Sequence, residues 1–229
     1  MILNSKNLLL TGVALAAFSL ASVAAKAADA APPVSSSPIY VSVFGGASFL
    51  NDVKASYNNI TAYSVSTYPG YIIGAAIGYQ WNDMVRTEIE LSHSSWKGKN
   101  FSLGIPLAYV GPVAGSISAT YLLGNLWIDI PTNSAFTPYV GGGLGVGFAT
   151  ADTTFNGNTY GYGPNGVGNF AYQVGAGVKF DLSESIAVDA GYRFKGITNV
   201  NFNDSDGGGA YNGANLNSHN VQIGLTFKF

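Results

Sequence analysis

The residues best suited to chemistry lie in "SHSSW", where His93 stands beside Ser94 and Ser95. A hydroxyl within reach of an imidazole is the start of an acyl-transfer site, in which the ring takes the nucleophile's proton and a third group orients the ring. The third group is missing here. Glu88 and Glu90 fall on the opposite alternation phase from His93 and Ser95, and no carboxylate follows until Asp129. The spacing favours an interfacial histidine at one end of a strand. His219 has no neighbouring partner of this kind. A second candidate is "NDSDGGG" at residues 203–209, where Asp204 and Asp206 are spaced like calcium-loop ligands. The twelfth position, which needs a glutamate, holds Asn215, so a flexible glycine loop is the better reading. "VGGGLGVG" at residues 140–147 lies inside a strand pattern with no helix after it, so it is not a phosphate cradle. With no cysteine, thiolate metal sites and disulfides are excluded. No enzyme activity and no cofactor are expected.

Composition narrows the partners. Ten Lys and Arg face twelve Asp and Glu in 229 residues, with 10% charged residues and a net charge of −2. That leaves no basic footprint for nucleic acid. The first 27 residues read as a secretory signal: Lys6, an apolar core from Leu8 to about Val23, and a small-residue site at Ala25–Ala27. Residues 28–37 form a loose N-terminal segment, and 38–229 form one domain. Beyond the signal, no stretch has the unbroken apolar length of a spanning helix.

The remaining chain is a succession of alternating runs rich in Val, Ile, Tyr and Phe. Eight strands are predicted: Ile39 to Leu50, Gly70 to Trp81, Met84 to Trp96, Ile117 to Ile130, Thr137 to Ala149, Phe170 to Leu182, Ile186 to Lys195 and Asn217 to Phe229. Successive side chains point to opposite faces, so each run splits into two phases. One phase is apolar, as in Tyr71, Ile73, Ala75, Ile77 and Tyr79, or Val221, Ile223, Leu225, Phe227 and Phe229. The other holds glycine and charges: Arg86, Glu88, Glu90, Lys179, Asp189, Arg193, Lys195 and Lys228, with Asp129 and Asn125 placed there from the ambiguous strand around Tyr121.

A water-facing sheet would carry many Lys, Glu and Thr. Glycine with a few charges of both signs suits instead a narrow, curved interior, where Gly141 to Gly147 make room for bulkier groups such as Arg86 or Tyr139. The apolar phase then faces lipid; a charge turned to the lipid midplane would cost up to ~2–4 kcal/mol. The connections alternate short (82–83, 131–136, 183–185) and long (51–69, 97–116, 150–169, 196–216). That parity, with an even strand number, matches an all-β, eight-stranded antiparallel up-and-down transmembrane barrel with short periplasmic turns and four long extracellular loops. Closure pairs the last strand with the first, since lipid tolerates no open edge.

The mature chain resembles the porin, or opacity-type, outer-membrane β-barrel family, and is similar to the OmpA transmembrane domain. The resemblance rests on "YVSVFGGASF", "GAAIGYQWND", "VRTEIELS", "TPYVGGGLGVGFA", "FAYQVGAGVKFDLSESIAVDAGYRF" and "HNVQIGLTFKF", and spans all eight strands. It implies an integral outer-membrane protein of a Gram-negative bacterium, a surface antigen or adhesin, or a weak porin. The OmpA peptidoglycan-binding domain is not expected. Gln222, Gly224, Phe227 and Phe229 resemble the C-terminal signal read by the barrel assembly machinery, so that machinery, periplasmic chaperones, outer-membrane lipid and lipopolysaccharide are the implied partners. Some barrels of this kind hydrolyse lipid A with a wall-facing histidine and serine; His93 and Ser95 share that phase without the orienting carboxylate.

An eight-strand barrel is just wide enough to be filled by side chains, so the interior charges read as a closed network, with a small pore as the alternative. Function then falls to the loops and to host or surface ligands. Phe101, Leu103, Ile105, Leu107 and Tyr109 either extend a hairpin or form an adhesive patch, and the loop tyrosines serve either as contacts or as a lipid girdle.

Overall fold

The computed structural model describes residues 38–57, 60–103, 110–155, 158–162, 168–203 and 210–229. The elements are all strands: β1 (Ile39–Leu50), β2 (Val53–Tyr57), β3 (Ile60–Thr67), β4 (Gly70–Gln80), β5 (Val85–Leu103), β6 (Val110–Pro112), β7 (Ala114–Asp129), β8 (Phe136–Phe155), β9 (Asn158–Tyr162), β10 (Asn169–Asp181), β11 (Ile186–Asn203) and β12 (Ala210–Lys228). Eight of them close a ring. β1 pairs with β4, the pairing runs on through β5, β7, β8, β10, β11 and β12, and β12 returns to β1, antiparallel throughout. The closing seam extends from Tyr40 opposite Lys228 to Leu50 opposite Ser218.

These are the eight strands expected from the alternation. At the turn end their bounds agree within one residue, but at the other end several run on: β5 to Leu103, β8 to Phe155, β11 to Asn203 and back along β12 from Ala210. The stretches 97–116, 150–169 and 196–216, read from sequence as loops, are therefore partly strand. The physical reason is that alternation records lipid contact, which stops at residues such as Lys97 and Thr198, whereas the backbone ladder continues into water. The first long connection also holds structure, the β2–β3 hairpin. Above the ring, β3 takes the edge of β5 that β4 covers below, with Thr67 opposite Gly98 and Tyr63 opposite Leu103.

Local side chains fix the short turns. Asn82 Oδ1 accepts hydrogen bonds from the amides of Met84 and Val85, 2.9 Å each, while the Trp81 amide donates to the Val85 carbonyl at 2.9 Å. Ser183 Oγ accepts from Ser185 and Ile186 amides at 3.3 and 3.1 Å. Asn and Ser thus supply the turn chemistry directly.

The apolar phase faces outward: Ile89 is 62% exposed, Leu144 61% and Ile223 61%. A contiguous exposed belt of this kind belongs to a membrane-facing wall. The unclear strand, β7, now resolves, because its inward phase mixes Tyr121, Leu123, Asn125, Trp127 and Asp129, all buried, and its outward phase is Leu122, Gly124, Leu126 and Ile128. Bulky apolar groups inside β7 hid the alternation. They also correct the reading of the glycine row: Gly141 and Gly143 lie opposite Trp127 and Asn125, not Arg86 or Tyr139. A Cβ on Gly141 would stand 2.7 Å from Trp127 Cε3. Tyr139 instead occupies room left by Gly177 on the neighbouring strand.

Gly141→Val should therefore depress the folded fraction after refolding in detergent, read as loss of the fast-migrating band on an unheated gel. Gly124→Val, where the nearest atom to an added Cβ is 3.9 Å away on the lipid side, should refold like wild type.

Candidate functional site

Inward-facing side chains divide the ring into two levels. At the turn end, Arg86 on β5 donates from Nε to both carboxylate oxygens of Asp129 on β7, at 2.8 and 2.9 Å, and from Nη1 to Glu88 at 3.0 Å. Lys179 Nζ reaches Asp129 at 3.4 Å. Glu88 also accepts from Tyr40 Oη at 2.8 Å and Trp127 Nε1 at 2.7 Å. The Arg193 guanidinium lies 4.1 Å from the Trp127 ring and donates to Tyr139 Oη at 2.8 Å. Lys228 pairs with Asp181 at 2.6 Å. Higher up, Glu90 accepts from Lys195, from Gln173 Nε2 at 2.7 Å, from Asn125 Nδ2 at 3.0 Å and from Ser92 Oγ at 2.8 Å. Lys195 also donates to Ser92 at 3.0 Å and stands 5.1 Å from the Tyr121 ring.

Among the described residues, the bases inside are Arg86, Lys179, Arg193, Lys195 and Lys228, and the acids are Glu88, Glu90, Asp129, Asp181 and Asp189, five against five. The interior is electrically balanced. Buried charge is tolerable in this form because partners and extra hydrogen bonds offset the lost hydration. Toward the loop end the filling becomes apolar: Trp96, Ile117, Tyr121, Leu123, Ile197 and Leu216 are buried together, and Leu50, Val53, Val65 and Val113 join them from the β1 end, the first hairpin and the β7 approach. Within the charged half, between the Arg86 and Glu90 groups, lies a void of ≈ 30 Å³ lined by Ser42, Arg86, Lys179, Asp189, Arg193 and Gln222 among others. That holds a water or two and no larger solute.

All nine charged residues assigned from sequence to the lumen face it. Sequence reasoning missed Asp181, which shares the phase of Lys179 and was legible from alternation alone. It also missed Tyr40 and Trp127, aromatic residues on the polar phase; Tyr139, read from sequence as a bulky interior group, is buried beside them. Their hydroxyl and indole groups point into the network, the way buried Tyr and Trp usually satisfy their polar ends.

The other candidates separate. His93 and Ser95 face outward and Ser94 inward; His93 Nδ1 lies 2.9 Å from Thr120 Oγ1, and Ser118 Oγ donates to Ser95 Oγ at 3.1 Å. No carboxylate contacts either among the described residues. His219 Nδ1 is 2.6 Å from Tyr192 Oη on the same outer wall. Gln222 and Gly224 face inward, and Phe227 and Phe229 face outward beside the seam. Phe101 is not in a loop: it belongs to β5 and packs half-buried against the apolar cluster. Of Leu103 only the backbone is described; Ile105, Leu107, Tyr109, Asp204 and Asp206 lie outside the described residues, as do residues 1–37.

A closed eight-strand ring with an apolar outer wall, a plugged interior, tight turns at one end and long excursions at the other defines an outer-membrane-type β-barrel. The chain belongs to the family of the outer membrane protein beta-barrel domain, whose model matches residues 13–229. It is 26% identical over 200 residues to an uncharacterised protein of Brucella abortus, covering 70% of this chain and 69% of that one. It is 27% identical over 174 residues to the outer membrane protein PagN of Salmonella typhimurium, 68% of this chain and 72% of PagN. The crystal structure of the outer membrane protein OprG of Pseudomonas aeruginosa matches with a TM-score of 0.56 at 15% identity, over 86% of this chain and 99% of OprG, a likeness of fold. The protein is thus an integral protein of the bacterial outer membrane, with short turns on the periplasmic side and long connections outside.

The Glu90 cluster is the most buried part of the network. Lys195→Met leaves that carboxylate without its cation and should lower stability by about 3–5 kcal/mol, measured by denaturant titration in detergent. Combining it with Glu90→Gln should recover most of the loss.

Proposed function

We propose that this protein is a non-enzymatic surface protein that meets its ligands, host or environmental, through the loop end. The observation that carries the reading is the filled interior: balanced charges below, an apolar plug above and a void too small for a solute turn other molecules away from the bore and toward the outside of the barrel. The strand extensions beyond the lipid support it, since β5, β8, β11, β12 and the β2–β3 hairpin raise an ordered rim from which the connections project. The unlinked His93 and Ser95 supply no hydrolytic arrangement. Within the same reading, residues 1–27 are a cleaved signal, and Gln222, Gly224, Phe227 and Phe229 serve recognition by the assembly machinery.

A small channel is the second reading, favoured by the presence of ten ionisable groups in the lumen. Single-channel recording in planar bilayers separates the two. The expected result is no stable conductance step from the wild-type barrel; a reproducible ion-selective step would sink the closed-barrel reading. Replacing residues 101–112 with a Gly/Ser linker should reduce surface adhesion of expressing cells several-fold while the barrel still assembles. Unchanged adhesion would remove that segment from the contact surface.

A further inference from the structure

The lumen charges are not all paired in the same way. Most touch an opposite charge directly: Arg86 and Lys179 meet Asp129, Arg86 also meets Glu88, Lys195 meets Glu90 and Lys228 meets Asp181. Arg193 and Asp189 form no direct ion pair among the described residues. Both lie on the inward face of β11, with Gly191 between them. The Tyr139 hydroxyl links the two, accepting from Arg193 Nη2 at 2.8 Å and donating to the Asp189 carboxylate. Arg193 is buried, and its Nε is left without a partner in the protein. A buried ion is costly unless its donors are satisfied.

Strand register shows what stands beside that guanidinium. Gln222 on β12 lies between Gly191 on β11 and Gly46 on β1, and Asp189 lies opposite Gly224. The glycines leave room around the Gln222 side chain, which is buried and whose Oε1 also has no partner in the protein. The void of ≈ 30 Å³ lies at this place, bordered by Arg86, Glu88, Glu90, Asp189, Arg193 and Gln222 among others. An unused donor, an unused acceptor and a carboxylate with no direct cation therefore face one space. An anion there would meet the carboxylates of Glu88, Glu90 and Asp189, and a cation would meet Arg86, Lys179 and Arg193. A small neutral molecule that both donates and accepts fits the lining. The void also lies where the Arg86 and Glu90 groups face each other, and among the described residues no side-chain hydrogen bond joins those groups directly.

We propose that this void is a binding site for buried water, about two molecules by its volume, which takes the place of a direct Arg193–Asp189 ion pair. One water accepts from Arg193 Nε and donates to Gln222 Oε1. The remaining hydrogen bonds reach Asp189 and the Glu88 and Glu90 carboxylates, so that two charge groups become one network across the lumen. Gln222 and Gly224, singled out in the sequence for their place near the C-terminus, thereby gain a role inside the folded barrel: one presents an acceptor and the other leaves space. The site lies within the closed lumen and is independent of what the loop end binds.

The test is water-edited solid-state NMR on the isotope-labelled protein folded in lipid bilayers. Magnetisation from water should reach Arg193 Nε and the Gln222 side chain early, while Trp96 Nε1, bonded to Ser48 Oγ inside the apolar cluster, should receive none at the same mixing time. Gln222→Met keeps the side-chain length but removes the acceptor, and should lose the transfer to Arg193 Nε. Asp189→Asn retains an acceptor oxygen and should keep it. Unheated gel mobility reports folding of each variant, and should one fail to fold, the wild-type contrast between Arg193 and Trp96 decides. The proposal is overturned if Arg193 Nε receives water magnetisation no faster than Trp96 Nε1, if Gln222→Met transfers like wild type, or if replacing chloride by bromide shifts the Arg193 Nε resonance, which would mark an anion site.

Discussion

Water is absent from the hydrocarbon core, so each backbone amide and carbonyl there must find its partner in the protein, and an unpaired one costs several kcal/mol. The β1–β12 seam answers that constraint. Without it both strands would present open edges to lipid, and no arrangement of side chains would compensate. Closure by eight strands also sets the bore, and the bore sets what can be put inside. The glycines at 141 and 177 are consequences of this: they leave room for Trp127 and Tyr139 in a cylinder that has none to spare.

Once the bore is small, its content must be neutral in charge and complete in hydrogen bonding. Among the described residues five bases facing five acids meet the first requirement, and the multiple donors to Glu88, Glu90 and Asp129 meet most of the second, leaving Tyr121 Oη, Gln173 Oε1, Arg193 Nε and Gln222 Oε1 without a partner in the protein. The long-range partners come from different strands, Arg86 with Asp129 and Lys195 with Glu90, so the network ties the wall together across the lumen as well as around it. The molecule's remaining freedom to interact lies on its outer wall and at its outer rim.

The rim is built by strands that outlast the membrane. Below, the lipid demands alternation and the interior demands compensation. Above, the ladder and the apolar cluster around Trp96 and Leu216 hold the structure, with buried hydrogen bonds from Trp96 Nε1 to Ser48 Oγ and from Ser48 Oγ to Asn220 Oδ1. Lys97 belongs to that boundary: same strand and same face as Leu91, but a different solvent. Position along the strand, not secondary structure, separates the lipid-contacting part of the protein from the part that meets headgroups and the outside.

Alternation of side chains, with glycine and charge confined to one phase, was enough to read the strand number, their turn-end limits to within a residue, the direction each face points and the lumen position of nine charged residues, because contact with lipid leaves a period of two in the chain. That period disappears where the lipid ends, which is why the upper reaches of β5, β8, β11 and β12 and the β2–β3 hairpin were not legible. Pairing was not legible either. Alternation places Arg86 and Asp129 in the lumen but does not say that they meet, nor that Trp127 occupies the space at Gly141, since both depend on the stagger of strands distant in sequence. The one-dimensional pattern therefore determined which side chains face inward, and the register of the closed ring decided which of them touch.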